Sequence, residues 1–191
     1  MNCCDKNGLY PVFDDLDDKP FISGQWLEEY RDIEYGESTL GPTGCEVIAL
    51  YNFMLLISKA RSLESIIGFM ESRFDDSNYF IISGLGMHGK LGATPCDIYA
   101  YLITEKIPYK TSYMMWELEN QCTEPGAIIL MYWNEKWWES GYHTIAVYYN
   151  GNKFYGYNQD TYSKDPVPVD DLSDFLGSDG RFIRGFFVPT S

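Results

Sequence analysis

Gly44-Cys45-Glu46-Val47-Ile48-Ala49-Leu50-Tyr51-Asn52-Phe53-Met54-Leu55-Leu56-Ile57-Ser58-Lys59 is the stretch on which the fold turns. Beyond Gly44 it holds no glycine or proline, and from Val47 to Ile57 apolar side chains cover nearly every face, with Asn52 the one interruption. A helix that is apolar all round is a buried helix. The predicted helix over 44–59 therefore forms the centre of the molecule, entered through the turn-rich Gly41-Pro42-Thr43-Gly44. Cys45 stands at its N-terminus. Unpaired N–H groups and the helix dipole at that position favour a thiolate and can stabilise an oxyanion beside it. Cysteine is also a common small buried hydrophobe, so its position alone does not decide between the two roles.

Outward from this helix, Ser62 caps a second helix over 62–74 with Leu63, Ile66, Ile67, Met70 and Phe74 as its apolar stripe. Thr94-Pro95-Cys96-Asp97 opens a third, with Thr at the cap and Pro in the first helical position. After Pro108 the pattern changes to strands: Tyr109–Tyr113, Ala127–Trp133, His143–Tyr149, Lys153–Asn158 and Phe182–Val188, with a short helix near 170–176. Helices first and strands afterwards give an α+β fold with a mostly antiparallel sheet. The expected organisation is one domain: a solvated lead-in over 1–36, a mainly helical part over 37–107 and a sheet part over 108–191.

Tyr149-Asn150-Gly151-Asn152 is a hairpin signal, because Asn-Gly suits a two-residue turn. With that turn Tyr149 faces Asn152 and, counting back, His143 faces Asn158, with Cβ atoms about 4.5–5.5 Å apart. An amide oxygen at that range fixes the imidazole tautomer that leaves the other ring nitrogen free for a thiol. A three-residue turn would bring Gln159 opposite instead. Asp160 is the backup orienter. The chain order is thus Cys45 on a helix, then His143 and Asn158 on strands.

These residues resemble a known family. Gly44-Cys45-Glu46-Val47-Ile48-Ala49-Leu50-Tyr51-Asn52, Gly141-Tyr142-His143-Thr144-Ile145-Ala146-Val147 and Phe154-Tyr155-Gly156-Tyr157-Asn158 are similar to segments of papain-like cysteine peptidases. The nearest likeness is to the C39-like branch, whose bacteriocin-processing members cut leader peptides after a double glycine. The opening at Thr94-Pro95 is also similar to small bacterial C39-like proteins, and the likeness runs over roughly residues 36–188. It implies Cys45 as nucleophile, His143 as base and acid, Asn158 as orienter, and a cleft walled by helix and sheet. Two departures stand out. The family's oxyanion-hole glutamine, about half a dozen residues before the cysteine, has no counterpart in Glu37-Ser38-Thr39-Leu40; Ser38, Thr39 or the more distant Gln25 are the candidates. Glu46 follows the cysteine where a small residue is common, and like-charge repulsion from it raises the thiol pKa.

The expected activity is cleavage of a peptide or amide bond through an acyl-thioester. The alternatives are transfer of the acyl group to an amine and a degenerate binding protein. Lys plus Arg is 14 against 28 Asp plus Glu, a net charge of −14. That argues against nucleic acid or an anionic membrane as partner and favours a neutral or basic substrate. Met1–Lys6 carries no secretory pattern, and no apolar run reaches the roughly 18 residues of a membrane span. Five cysteines without framework spacing fit reduced thiols in a cytoplasm. No cofactor is expected. Gly84-Leu85-Gly86-Met87-His88-Gly89 resembles a dinucleotide loop, but no helix starts within it. Cys3, Cys4, Cys96, Cys122 and His88 lack zinc spacing, and the Asp14–Asp18 run lacks the glycine and distal Glu of a calcium loop. Trp133, Trp137 and Trp138 precede His143 as either a substrate wall or a hydrophobic edge. The sequence sets no oligomeric state.

Overall fold

The structure, a computed structural model, describes residues 21–72, 95–134 and 141–190. The Gly84–Gly89 loop, His88, Trp137, Trp138, Cys3, Cys4 and the Asp14–Asp18 run lie outside these residues.

A small antiparallel pair, β1 (Glu34–Tyr35) and β2 (Ser38–Thr39), leads into a one-turn helix α1 (Leu40–Thr43) and then α2 (Cys45–Leu56). Helices α3 (Leu63–Ser72) and α4 (Pro95–Thr104) follow. Strand β3 (Lys110–Ser112) and helix α5 (Met115–Gln121) precede β4 (Gly126–Asn134), β5 (Gly141–Tyr149), β6 (Phe154–Tyr157) and β7 (Val167–Val169). A 3₁₀ turn over Leu172–Leu176 and β8 (Arg181–Pro189) complete the chain. The large sheet has the order β3-β8-β4-β5-β6-β7, and each of its ladders is antiparallel. The fold is α+β.

Strand alternation divides the core into two layers. Ala127, Ile129, Met131, Ala146 and Tyr148 face α2, whose twelve residues are all buried, together with side chains of α3 and α4. Ile128, Leu130, Tyr132, Ile145 and Val147 face the other way, under Leu118 and Cys122 of α5 and its C-terminal end and Leu172 and Phe175 of the 3₁₀ turn. The sheet is thus covered on both faces, which explains why β4 and β5 read as nearly continuous apolar runs. No helix among the described residues is long and apolar enough to cross a membrane.

The described part of the lead-in differs from expectation. Ile22, Gln25 and Tyr35 are buried, so the two ends of 21–35 are packed into the fold, while most of 26–34 between them is exposed. Asn52, the polar break in α2, holds the first of these ends. Its Nδ2 donates to the Ile22 carbonyl at 2.7 Å and its Oδ1 accepts from the Ile22 N–H at 2.9 Å. A side-chain amide that matches a peptide's donor and acceptor ties this segment to the central helix without leaving a buried polar group unsatisfied. Helices 44–59 and 62–74 shorten to Cys45–Leu56 and Leu63–Ser72, with 73–74 outside the described residues. The sequence pattern missed β1, β2, β7 and α5, all short.

Candidate active site

Gly44 separates α1 from α2. Its N–H donates to the Leu40 carbonyl at 2.9 Å, and a Cβ on it would lie 2.6–2.7 Å from Leu40 atoms, backbone included. Only glycine lets the two helices meet this closely, and the junction fixes where Cys45 begins α2. The first turn of α2 leaves its leading N–H groups without intrahelical acceptors.

Two main-chain N–H groups, those of Glu46 and Thr144, lie close enough to the Cys45 sulfur to act on its ionisation. The second contact has a topological cause. The β5–β6 ladder ends at Ala146↔Tyr157, so the β6-facing edge of β5 is open at Thr144. The thiol sits at that open edge, against the peptide that joins His143 to Thr144. Its own proton points at Glu46, with Sγ to Oε2 at 3.2 Å. Burial first, and then the Glu46 carboxylate, push the Cys45 thiol well above its ordinary value. The two N–H groups act the other way and lose. Burial and the neighbouring Glu46 thus act against the lowering expected of the helix N-terminus. Burial, with Glu46 next, likewise raises the Tyr35 phenol, whose neighbours also include Asp97, Cys45 and Glu71.

The predicted hairpin register needs correcting. Tyr149 pairs with Phe154 and Ala146 with Tyr157, so the connection is the four residues Asn150–Lys153 and the two-residue turn does not form. Asn150 Oδ1 accepts from the N–H groups of Asn152 and Lys153 at 2.9 and 2.8 Å, and Gly151 takes φ +94. The asparagine side chain thus organises a wider turn than Asn-Gly alone implies. Neither Asn158 nor Gln159 stands opposite His143 in the ladder, and Asp160 lies past its end. Asp160 is exposed, with Oδ1 accepting from the Tyr162 N–H at 3.1 Å in a local turn.

His143 and Asn158 nevertheless meet. The imidazole Nε2 lies 2.8 Å from the main-chain carbonyl oxygen of Asn158, where the chain turns out of β6 with φ +66. A carbonyl only accepts, so this bond requires the proton on Nε2 and leaves Nδ1 with a lone pair in the neutral ring. The tautomer expected from the side-chain amide is set by the backbone instead. Tyr132, the cross-strand partner of His143, packs edge-on to the ring at 5.6 Å. The Tyr132 hydroxyl is held in turn by Gln159 Oε1 at 2.9 Å.

The Asn158 side chain has a different task. Its Nδ2 donates to Gln25 Oε1 at 2.7 Å and its Oδ1 accepts from the Gln25 N–H at 2.9 Å. Gln25 Nε2 donates to the Gly41 carbonyl at 2.6 Å. An amide nitrogen has two hydrogens, and this one makes a single bond among the described residues, so a second N–H stays available in a buried position. Of the three oxyanion candidates, only Gln25 joins the group that contains Asn158. Ser38 and Thr39 are half-buried in β2, and the Thr39 carbonyl accepts from Thr43 Oγ1 at 2.9 Å. Beside Gln25, Trp26 stacks on Tyr162 with centroids 6.1 Å apart, both rings exposed. Gly24 allows this approach, since a Cβ there would lie 2.6 Å from the Ser163 carbonyl. Trp133 is at the margin of exposure.

Sequence reasoning missed Thr144 and Tyr35. Thr144 follows the histidine, but nothing in its residue type marks the open strand edge that gives its N–H to the sulfur. No protein-family model matches the chain, and no curated protein matches it.

Proposed function

We propose that the protein is a papain-like thiol hydrolase that cleaves a peptide or amide bond through an acyl-thioester on Cys45. The observation that carries the reading is the position of the sulfur. It lies at the N-terminus of a buried helix and against the peptide that follows His143, whose imidazole is pinned through Nε2.

The raised thiol pKa sets the form of the first step. At neutral pH Cys45 rests as a thiol, so no thiolate–imidazolium pair stands ready. In this reading the S–H proton is taken up at His143 Nδ1, which the alternation of β5 puts on the face opposite Thr144, so the transfer runs across the open edge of the strand as the sulfur attacks the substrate carbonyl in general-base fashion. The oxyanion receives the Cys45 N–H and the second Nε2 hydrogen of Gln25. Collapse expels the amine, which takes the proton back from Nδ1 and leaves the acyl group on sulfur. Water activated by the same nitrogen releases the acid. An amine in place of water would make the enzyme a transferase. The Trp26–Tyr162 pair offers an apolar wall beside Gln25, and the net charge of −14 favours a neutral or basic substrate. No disulfide joins Cys45, Cys96 and Cys122 among the described residues, which fits a reducing cytoplasm.

The buried Glu46 favours a second reading, a binding protein that keeps the architecture with a silenced thiol. Acylation separates the two. Incubation with an activated ester such as p-nitrophenyl acetate, acid quench and intact mass should show one acyl group on Cys45, absent in Cys45→Ala and strongly slowed in His143→Ala. Equal acylation of wild type and His143→Ala, or none at Cys45, establishes the silent thiol. Hydroxylamine competition during turnover then divides hydrolase from transferase.

A further inference from the structure

Thr144 is fully buried. Its pairing with Met131 and the alternation of β5 put its side chain on the face packed by α2. Its hydroxyl has no hydrogen-bond partner among the described residues. An orphan hydroxyl in a packed core is costly, and valine would fill the same space without that cost. The N–H of the same residue lies against the Cys45 sulfur. The Thr144 side chain branches from the Cα that also carries this N–H, and its χ1 has staggered wells into which the hydroxyl can turn.

We propose that Thr144 Oγ1 is a conditional donor to Cys45: idle while the sulfur carries its proton, and hydrogen-bonded to the thiolate once that proton has passed to His143. A thiol sulfur is a weak acceptor, so in the resting state the hydroxyl gains little by turning to it. A thiolate is a charged acceptor and roughly doubles the strength of such a bond. The surroundings make this donor matter. Glu46 on α2 lies against the sulfur, Tyr35 of β1 beside it, and Asp97 of α4 and Glu71 of α3 act on Tyr35. His143 of β5 is the basic group of the site. The other charged groups are acidic, so neutral donors stabilise the anion. In the step itself the Cys45 S–H bond breaks, an N–H bond forms at His143 Nδ1, and the Thr144 O–H bond stays intact.

The inference rests on Cys45 as the nucleophile, and the test keeps the two apart. Carboxamidomethylation of Cys45 by iodoacetamide is followed by peptide mapping between pH 6 and 10 in wild type, Thr144→Val, Thr144→Ser and His143→Ala. Thr144→Val should slow labelling about tenfold at pH 8 and move the pH midpoint up, with a thermal midpoint equal to or above wild type. Thr144→Ser should restore labelling to within about twofold of wild type, as the retained hydroxyl requires. Thr144→Ala serves in place of valine if the latter does not fold. Wild-type labelling across the pH range in the valine or alanine variant overturns the inference. Unchanged labelling in His143→Ala, by contrast, removes the nucleophile reading and leaves the hydroxyl result to stand or fall separately.

Discussion

Glu46→Gln removes a charge from beside the sulfur and keeps the shape of the side chain. The structure allows the size of the effect to be worked out. Sγ and Oε2 are 3.2 Å apart, and because the carboxylate charge is shared by two oxygens its mean separation is about 4 Å. At that distance two unit charges interact by about 1 kcal/mol in water and about 4 kcal/mol at an effective dielectric near 20. A thiol that is 8% exposed lies between these limits. The Cys45 pKa should therefore fall by about 1–3 units. Lower basicity also weakens the nucleophile, with a Brønsted slope of about 0.4–0.5, so roughly half the gain survives in rate. The expected result is alkylation of Cys45 about three- to sixtyfold faster at pH 7, read by peptide mapping so that the other thiols do not interfere. Superimposable pH profiles for the two proteins would refute the reasoning, since they would mean that Glu46 places no negative charge on the thiol. A higher thiol pKa in the variant would show that the carboxylate supports the site.

Three further outcomes follow from other parts of the fold. Asn158→Gly tolerates the φ of +66 and keeps the carbonyl that meets His143 while deleting both bonds to Gln25; kcat should drop about ten- to a thousandfold, about 1.4–4 kcal/mol of barrier, with the imidazole limb of the pH–rate profile unmoved. Gly44→Ala meets Leu40 backbone and should cost about 1–3 kcal/mol in urea unfolding, together with most of the activity. Burial pushes the Cys122 thiol up to about 12, whereas in the unfolded chain it ionises near about 8.5. The folded state then holds that proton more tightly, so the stabilisation is complete below about pH 8.5 and is lost as pH rises toward 12. In Cys122→Ala the fall in unfolding free energy between pH 7 and 10 should be smaller by about 1–2 kcal/mol.

The sequence carried the central helix and the strands because their signals are local. The apolar run after Cys45 has nowhere to go but the core, and the β-rich segments after Pro108 are bounded by turns. Three things escaped it, each for a physical reason. The hairpin register depends on whether Asn150 uses its side chain to widen the turn, and Asn-Gly serves either turn; two extra loop residues took His143 away from Asn158 in the ladder. The contact survived only because the chain leaves β6 at Asn158 and offers its carbonyl, a main-chain event without a residue signature. Segment 21–35 looked like solvated chain because its neighbours are acidic, yet Asn52 pulls Ile22 onto α2 and carries Gln25 to Asn158. The Glu46 departure was legible, since adjacency at a helix start already brings the carboxylate to the sulfur.

At Thr144 the sulfur stands where a sixth rung of the β5–β6 ladder would otherwise lie, so the thiol is also a piece of the sheet. Chemistry at Cys45 is then bound to register in the backbone. Once the sulfur carries an acyl or carboxamidomethyl group it is a poorer acceptor, and the amide of Thr144 is less well covered. Deuterium uptake at that one amide, slow in the resting protein and faster after modification, becomes an internal gauge of how much of the protein is covalently loaded. It reads the state of the site without any substrate of known identity.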